Sequence, residues 1–277
     1  VSVLSNPITT PLERSLNDLH AQKSLWLSKL NIENFRNYKK VQLQLDSPSV
    51  VLTGPNGAGK TNLLEAISLL APGRGMRRSR SEHWPNKTSG SHYWAVAATL
   101  QSAHGSLRIG SGFTVDAKQT GRIMRLEGQS VSQAEIGEHI QVSWLVPNMD
   151  GIFVDVPSAR HRFLDRLAIA FDPAHIGRMA RYQKAIRQRA HLLSENVDDT
   201  AWLSSLESII AETAVAVTAA RQTLIRDLNK EAEAGWLSFP GVRLELEGDA
   251  ERWLDQMPAL DVEDKFIAAA KRARLDG

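Results

Sequence analysis

The sequence contains no cysteine, so its 277 residues can form neither disulfide bonds nor thiolate zinc sites. Its eight histidines are scattered without the spacing of a helical metal-binding pair, so a metal-hydrolase function has no support. No apolar run approaches the roughly 18–20 residues of a membrane span, and no basic stretch followed by an apolar one marks a secretory signal. We therefore expect a protein of the reducing cytoplasm that does not bind membranes.

Charge is nearly balanced overall, at +2, but it is unevenly distributed along the chain. Eight Lys/Arg residues lie between positions 158 and 191 with two acids among them, whereas ten acids lie between positions 231 and 264 with two arginines. A local basic surface suits a phosphate backbone, and a solvated arginine-rich helix face explains the first of these clusters equally well. A separate group of four arginines stands within seven residues: Arg74, Arg77, Arg78 and Arg80.

The strongest motif is a phosphate-binding P-loop, G-x-x-x-x-G-K-[ST], between a strand-like run at 49–53 and a helix-like run at 62–70. Its glycines let backbone N–H groups turn toward an anion, and the following helix adds its positive N-terminal end. Lys60 would reach the β- and γ-phosphates, and the Thr61 hydroxyl would ligate Mg²⁺. The predicted nucleotide-binding residues are Gly54, Pro55, Asn56, Gly57, Ala58, Gly59, Lys60, Thr61 and Asn62.

The apolar pattern divides the chain into a strand-rich part and a helical part. Alternation predicts strands at 30–35 and 41–45. Several short strands are predicted after the P-loop helix, at 93–101, 106–113, 122–127 and 141–146, and they indicate an antiparallel sheet beside the P-loop sheet. After Pro157 the period becomes helical over 159–194 and 201–234, which predicts a long helical hairpin. Strand character returns at 242–246, and a short helix is possible at 12–23.

Three stretches narrow the function further. They are N-F-R-N-Y at 34–38, K-T-N-L-L-E-A-I at 60–67 with the four arginines behind it, and P-S-A-R-H-R-F-L-D at 157–165 followed by Y-Q-K-A-I-R-Q-R at 182–189. Together they resemble the RecF family, bacterial recombination-mediator ATPases of the SMC/ABC type. The resemblance runs from about Leu27 to Gly277, and the first and third stretches are far more specific than the P-loop.

The resemblance implies an α/β fold: a P-loop ABC/SMC-type ATPase head with an antiparallel β subdomain and a helical-hairpin second lobe. We divide the chain accordingly into a loosely ordered extension (1–25), a P-loop ATP-binding core with the antiparallel sheet (26–156), a helical lobe (157–240) and the start of a return to the ATPase core (241–277).

The resemblance also implies ligands and partners. These are ATP and Mg²⁺, an ATP-dependent homodimer, other recombination mediators, and single-stranded or gapped DNA, bound at gaps and stalled forks to support recombinase loading. The DNA contacts would come from Arg74, Arg77, Arg78 and Arg80, which resemble the arginine-rich loop that lies near DNA in SMC-type heads.

Two ATPase segments of this family have no counterpart in the sequence. No run of four apolar residues ends in Asp-Glu, as a Walker B strand would, and no signature segment or Q-loop glutamine can be assigned. We interpret the chain as a C-terminally incomplete RecF-like sequence with no assignable catalytic residue beyond Lys60. ATP hydrolysis is expected near background, because phosphoryl transfer depends on positioning and charge stabilisation by those segments.

Other interpretations remain open at this point. The chain could be a non-catalytic protein-interaction module with a structural ATP site, which single-turnover hydrolysis with and without DNA would separate from a DNA-repair ATPase. An unrelated P-loop kinase is disfavoured by the long helical hairpin. Arg36 either approaches the nucleotide from a neighbouring loop or is a surface arginine, and Glu65 is interpreted as a structural residue of the P-loop helix.

Overall fold

The computed structural model describes residues 2–4, 25–77, 79, 83–102, 105–116, 119–195, 199–235 and 240–275. They form two compact units, one ending at Leu145 and the other beginning at Val146. The helix predicted at 12–23, most of the predicted extension, and the arginines Arg78 and Arg80 lie outside the described residues.

The first unit is built on a six-stranded antiparallel sheet in the order β3-β2-β5-β6-β7-β8. A second, two-stranded sheet pairs β1 with β4, the strand that leads into the P-loop. The strands are β1 (Ser2–Leu4), β2 (Trp26–Phe35), β3 (Tyr38–Gln44), β4 (Val51–Thr53), β5 (Trp94–Ser102), β6 (Gly105–Asp116), β7 (Gln119–Leu126) and β8 (Gln129–Val131). Helix α1 (Lys60–Ser68) follows the P-loop, and helix α2 (Gln133–His139) follows β8.

The core of the first unit lies on one face of the six-stranded sheet. Leu30 and Ile32 of β2 face inward because alternate residues of a strand point to the same side. Three aromatic rings meet at one end of this core, with centroids 5.1–6.4 Å apart: Phe35, Trp84 and Trp94. Trp94 packs edge-on against the other two, which is a favourable geometry, and Phe35 and Trp84 are tilted by 45°. Helix α1 buries Leu63 and Ala66 in the same apolar cluster, so the sheet supports the P-loop helix.

Arg122 of β7 ties the sheet to the far end of α1. The last carbonyl groups of a helix have no partner within the helix. The Arg122 guanidinium donates to carbonyls just beyond that end, those of Leu69, Ala71 and Gly73. Burial lowers the pKa of Arg122 to about 10, so it remains charged at neutral pH. The sheet therefore fixes the C-terminal end of the P-loop helix.

The second unit is helical. Its helices are α3 (Pro157–Phe171), α4 (His175–Ser194), α5 (Thr200–Ala232), α6 (Asp249–Gln256) and α7 (Ala259–Leu275). The Asp199 side chain caps α5 by accepting a hydrogen bond from the Trp202 amide. The pattern predicts one helix over 159–194, but the structure has two, because Pro173 follows Asp172 and cannot continue a hydrogen-bonded helix.

Helix α5 forms the centre of this unit. By length and composition alone it could cross a membrane, although it contains no long uninterrupted apolar run. Half of its most apolar window is buried within the protein, as in the core helix of a globular unit. Its apolar stripe includes Leu203 and Leu206, which are buried with Ala185 and Leu192 of α4. Leu224 is buried with residues of α3 in a second cluster.

Two strands predicted from alternation are absent from the described residues. At 141–146 the chain forms no strand, and the ordered element before it is α2, which Ser132 caps by accepting from the Glu135 amide. At 242–246 the chain runs along α5, and the Asn229 side chain hydrogen-bonds both the amide and the carbonyl of Leu244. Exposed and partly buried residues do alternate at 242–246, because one side of the segment faces helix α5 and not a sheet.

Two buried carboxylates hold the helices of the second unit together. Asp165 of α3 accepts two hydrogen bonds from Arg221 of α5, at 2.7 and 2.9 Å, and lies 3.1 Å from His175 Nε2 of α4. Glu207 of α5 is bound by Arg189 of α4 and Arg274 of α7. Residues beyond 241, predicted to return to the ATPase core, here include a helix, α7, that is ion-paired to α5.

We predict that Asp165→Asn destabilises the second unit. Burial opposes ionisation of Asp165, but the hydrogen bonds from His175 and Arg221 and the charge of Arg221 outweigh it and lower its pKa. A lowered carboxyl pKa stabilises the fold above about pH 4 and loses this effect as pH falls through the folded-state value. Urea unfolding should show a loss of about 3–5 kcal/mol at pH 7.

The loss in Asp165→Asn should shrink in acid, because wild type then loses the same charge. Asp227→Asn is the matched control, since Asp227 is exposed and, within the described parts of the chain, ion-paired only with Lys230. Equal unfolding midpoints for Asp165→Asn and Asp227→Asn at pH 7 would contradict the prediction.

Candidate phosphate-binding site

The P-loop joins β4 to α1 through backbone that favours glycine. Gly57 and Gly59 have φ angles of 83° and 99°, in the left-handed region that other residues rarely adopt. A Cβ at Gly57 would meet no atom within 4 Å, so this glycine faces open space. Gly59 begins the helix, and the unpaired amide groups of the first helical turn follow it. The loop therefore presents backbone amides and a helix N-terminus to an open surface.

Lys60 closes over this loop. Its ammonium group donates to the carbonyl oxygens of Gly54, at 2.6 Å, and Pro55, at 2.9 Å. These contacts place a positive charge at the loop carbonyls. Thr61, the next residue, is exposed on the first turn of α1. A cation, a hydroxyl and the start of a helix thus occupy the same end of the loop.

The hairpin turn between β2 and β3 packs against the end of the P-loop. Its two loop residues are Arg36, with φ 54°, and Asn37. The Asn37 Oδ1 atom accepts a hydrogen bond of 2.8 Å from Asn62 Nδ2 of α1. A Cβ at Gly59 would stand 2.6 Å from Asn37 Nδ2 and from the Tyr38 hydroxyl, so only glycine fits there. The turn is therefore one wall of the site.

A buried carboxylate on α1 fixes this turn. Glu65 is only 1% exposed and accepts two hydrogen bonds from the Arg36 guanidinium, at 2.8 and 3.0 Å. Arg36 also donates to Ser79 Oγ and to the His83 carbonyl. This parallel pairing orients the guanidinium and offsets the unusual φ angle of Arg36. The sequence leaves Arg36 beside the nucleotide or at the surface, whereas the structure places its guanidinium on Glu65.

Arg77 connects the arginine-rich loop to the same carboxylate. Its Nη1 donates to Asn62 Oδ1 at 2.7 Å and to Glu65 at 3.2 Å. The loop is also held to α1 by Ser68 Oγ, which accepts from the Met76 amide. Arg74 is exposed, and no carboxylate among the described residues binds it. Of the four arginines predicted to contact DNA, Arg77 is thus bound to side chains of the P-loop helix. Arg78 and Arg80 lie outside the described residues.

Comparison with known proteins identifies the family. A model of the AAA domain matches residues 29–199. The DNA replication and repair protein RecF of Mesorhizobium japonicum is 41% identical over 90% of this chain and 66% of its own length. The protein of the same name from Rhizobium rhizogenes is 38% identical over 90% of this chain and 67% of its own length. The chain belongs to the RecF family.

Solved structures support the same fold. A structure of the recombination mediator protein RecF with ATPrS superposes with a TM-score of 0.79 at 21% identity, covering 92% of this chain and 69% of that one. Another, of RecF with ATP, gives a TM-score of 0.67 at 24% identity and covers 90% and 70%. The predicted ABC/SMC-type α/β fold and the resemblance to RecF are confirmed. The chain spans about two thirds of the length of these RecF relatives.

The structure brings together most of the predicted site of this RecF-family chain and adds residues that the sequence analysis did not assign. Residues 54–62, which the sequence predicts to bind nucleotide, form one continuous loop and the first turn of α1. Asn37 and Tyr38 received no role from sequence, although they lie directly against Gly59. A two-residue turn between two alternating strands, with an asparagine in it, is the signal that could have drawn attention to them.

We predict that Glu65→Gln destabilises the first unit by about 3–5 kcal/mol, because it leaves two arginines beside a buried neutral group. Arg36 and Arg77 would lose their shared charge partner, and the hairpin turn would no longer be fixed against Gly59. Urea unfolding monitored by tryptophan fluorescence would measure the loss. Glu138→Gln, on an exposed site of α2, is the control. Unfolding curves that coincide for Glu65→Gln and Glu138→Gln would show that the network contributes little.

Proposed function

We propose that this chain is the ATP-binding part of a RecF-type DNA replication and repair protein that acts on DNA at gaps and stalled forks to support recombinase loading. One observation carries the proposal: a complete P-loop lies between a strand and a helix, with Lys60 closed over it. The relatives named for replication and repair and the fold shared with RecF–ATP support the same conclusion. A cytoplasmic location follows from this role.

The residues of the loop fit a nucleoside triphosphate with Mg²⁺. Gly57 leaves open space where a side chain would fill the cradle, and the α1 N-terminus and Lys60 supply positive charge for phosphate oxygens. The exposed Thr61 hydroxyl is the Mg²⁺ ligand in this proposal, and the other nucleotide contacts come from residues 54–62. When bound, Mg²⁺ neutralises charge on the phosphates.

DNA would bind beside the nucleotide through the arginine-rich loop. Arg74 is exposed without an ion partner among the residues described, and Arg78 and Arg80 belong to the same loop by sequence. Arginine donors contact phosphates without reading bases, so binding should be independent of sequence. Single-stranded or gapped duplex DNA is the substrate in this proposal. An ATP-dependent homodimer and other recombination mediators complete the proposed assembly.

We predict that Lys60→Ala abolishes ATP binding by the 277-residue chain. The variant loses the cation at the phosphate site, and a P-loop depends on that charge to hold the triphosphate. Titration calorimetry with Mg–ATP should show binding for wild type and none for the variant. Lys87→Ala, which changes a lysine outside the P-loop, is the control. Equal ATP affinity for wild type and Lys60→Ala would exclude the P-loop as the nucleotide site.

We predict that replacing Arg74, Arg78 and Arg80 together by alanine weakens DNA binding equally for all base sequences. Arg77 is left unchanged so that its ion pair with Glu65 is kept. Each lost phosphate contact should reduce the slope of log K against log salt by about 0.7–0.9. Fluorescence anisotropy over a salt series measures this slope. The comparison variant replaces Lys184 and Arg187, which are exposed on α4. A smaller slope only in the comparison variant would place the DNA surface on α4.

A further inference from the structure

The Tyr38 hydroxyl is buried, and it has no hydrogen-bond partner among the residues that the structure describes. The ring packs against the apolar core of the first unit, and the hydroxyl lies at the P-loop, where a Cβ on Gly59 would stand 2.6 Å away. A buried hydroxyl without a partner is costly, and such groups in native proteins call for an explanation. Burial also raises the pKa of Tyr38, so the hydroxyl keeps its proton and can donate it.

Asn37 presents a second donor at the same place, and its orientation follows from a chain of hydrogen bonds. Arg77 can only donate, so the Asn62 atom that it contacts is the oxygen. The Asn62 nitrogen therefore donates to Asn37, and the atom that accepts is the Asn37 oxygen. The Asn37 NH₂ group is left facing Gly59, where a Cβ would stand 2.6 Å from it.

Two donors thus lie at Gly59, the Asn37 amide and the Tyr38 hydroxyl, and the Lys60 ammonium lies at the Gly54 and Pro55 carbonyls of the same loop. Lys60 is satisfied by loop carbonyls, and the other two have no acceptor among the described residues. A ligand rich in acceptor oxygens matches this arrangement, and a triphosphate is such a ligand. We propose that Tyr38, supported by Asn37, binds the nucleotide by donating its hydroxyl proton to a phosphate oxygen.

Three other buried side-chain atoms without a partner among the described residues do not lie at the P-loop. The indole nitrogens of Trp84 and Trp94 belong to the aromatic cluster of the core, and His175 Nδ1 lies in the second unit. Tyr38 differs because its hydroxyl lies against the loop already assigned to phosphate. The inference rests on the proposed nucleotide site and adds to it a contact from outside residues 54–62.

The test is Tyr38→Phe, which removes one oxygen and keeps the ring. A hydrogen bond to a charged oxygen is worth enough to weaken Mg–ATP binding about 10- to 100-fold when it is lost. Calorimetry should show the same fold-change with inorganic tripolyphosphate as the ligand, because the proposed acceptor is a phosphate oxygen. The thermal unfolding temperature of the unliganded variant should equal or exceed that of wild type, because no bond is lost.

Tyr93→Phe is the matched control, since the Tyr93 hydroxyl donates to Glu33 on the sheet surface and should not affect nucleotide affinity. Equal affinity of Tyr38→Phe and wild type for ATP would overturn the inference. A loss for ATP without a loss for tripolyphosphate would also overturn it, by moving the contact to the nucleoside. Neither result with Tyr38→Phe would contradict the proposed function. The proposed function is contradicted if wild type and Lys60→Ala bind ATP with equal affinity.

Discussion

The Glu65 carboxylate is the one charge on which the geometry of the first unit depends. It lies on the P-loop helix, almost fully buried, and it is bound by one arginine from the β2–β3 turn and another from the arginine-rich loop. Three segments that are far apart in sequence therefore meet at a single group. Because a buried charge without a partner costs several kcal/mol, the buried Glu65 carboxylate needs at least one of these arginines. Arg36, the more buried of the two, is the stronger partner, since solvent screens the more exposed Arg77.

This constraint explains why the P-loop has a defined wall. With Arg36 fixed on Glu65, the neighbouring Asn37 and Tyr38 lie against Gly59, and Asn62 is held between Asn37 and Arg77. The loop must be glycine at position 59 both for its φ angle and for this close approach. Arg122 fixes the other end of the same helix from the sheet. The phosphate-binding loop is thus positioned by side chains from all around it.

The helices of the second unit are also joined by buried carboxylates. Asp165 and Glu207 each gather partners from separate helices, so the long helix α5 is held by buried ion pairs as well as by its apolar stripe. Such pairs add little net stability compared with apolar packing. Here they join α3, α4 and α7 to α5. The same physical device, a buried carboxylate shared by cations, organises both units of this RecF-family chain.

Sequence by itself determined the P-loop, the antiparallel strands near it, the helical hairpin and the family. These follow from local signals: a fixed motif, a period of two, a period of 3.6 and short specific phrases. Local patterns could not distinguish an extended segment beside a helix from a strand, as at 242–246. The break between two helices at Pro173, in contrast, had a local signal, because proline cannot continue a hydrogen-bonded helix. Only the tertiary structure decided that Arg36 and Arg77 share Glu65 and that Tyr38 lies at Gly59. Arg36 and Arg77 are 41 positions apart in the sequence, and both bind the Glu65 carboxylate. No periodic pattern in the sequence predicts a contact of this kind.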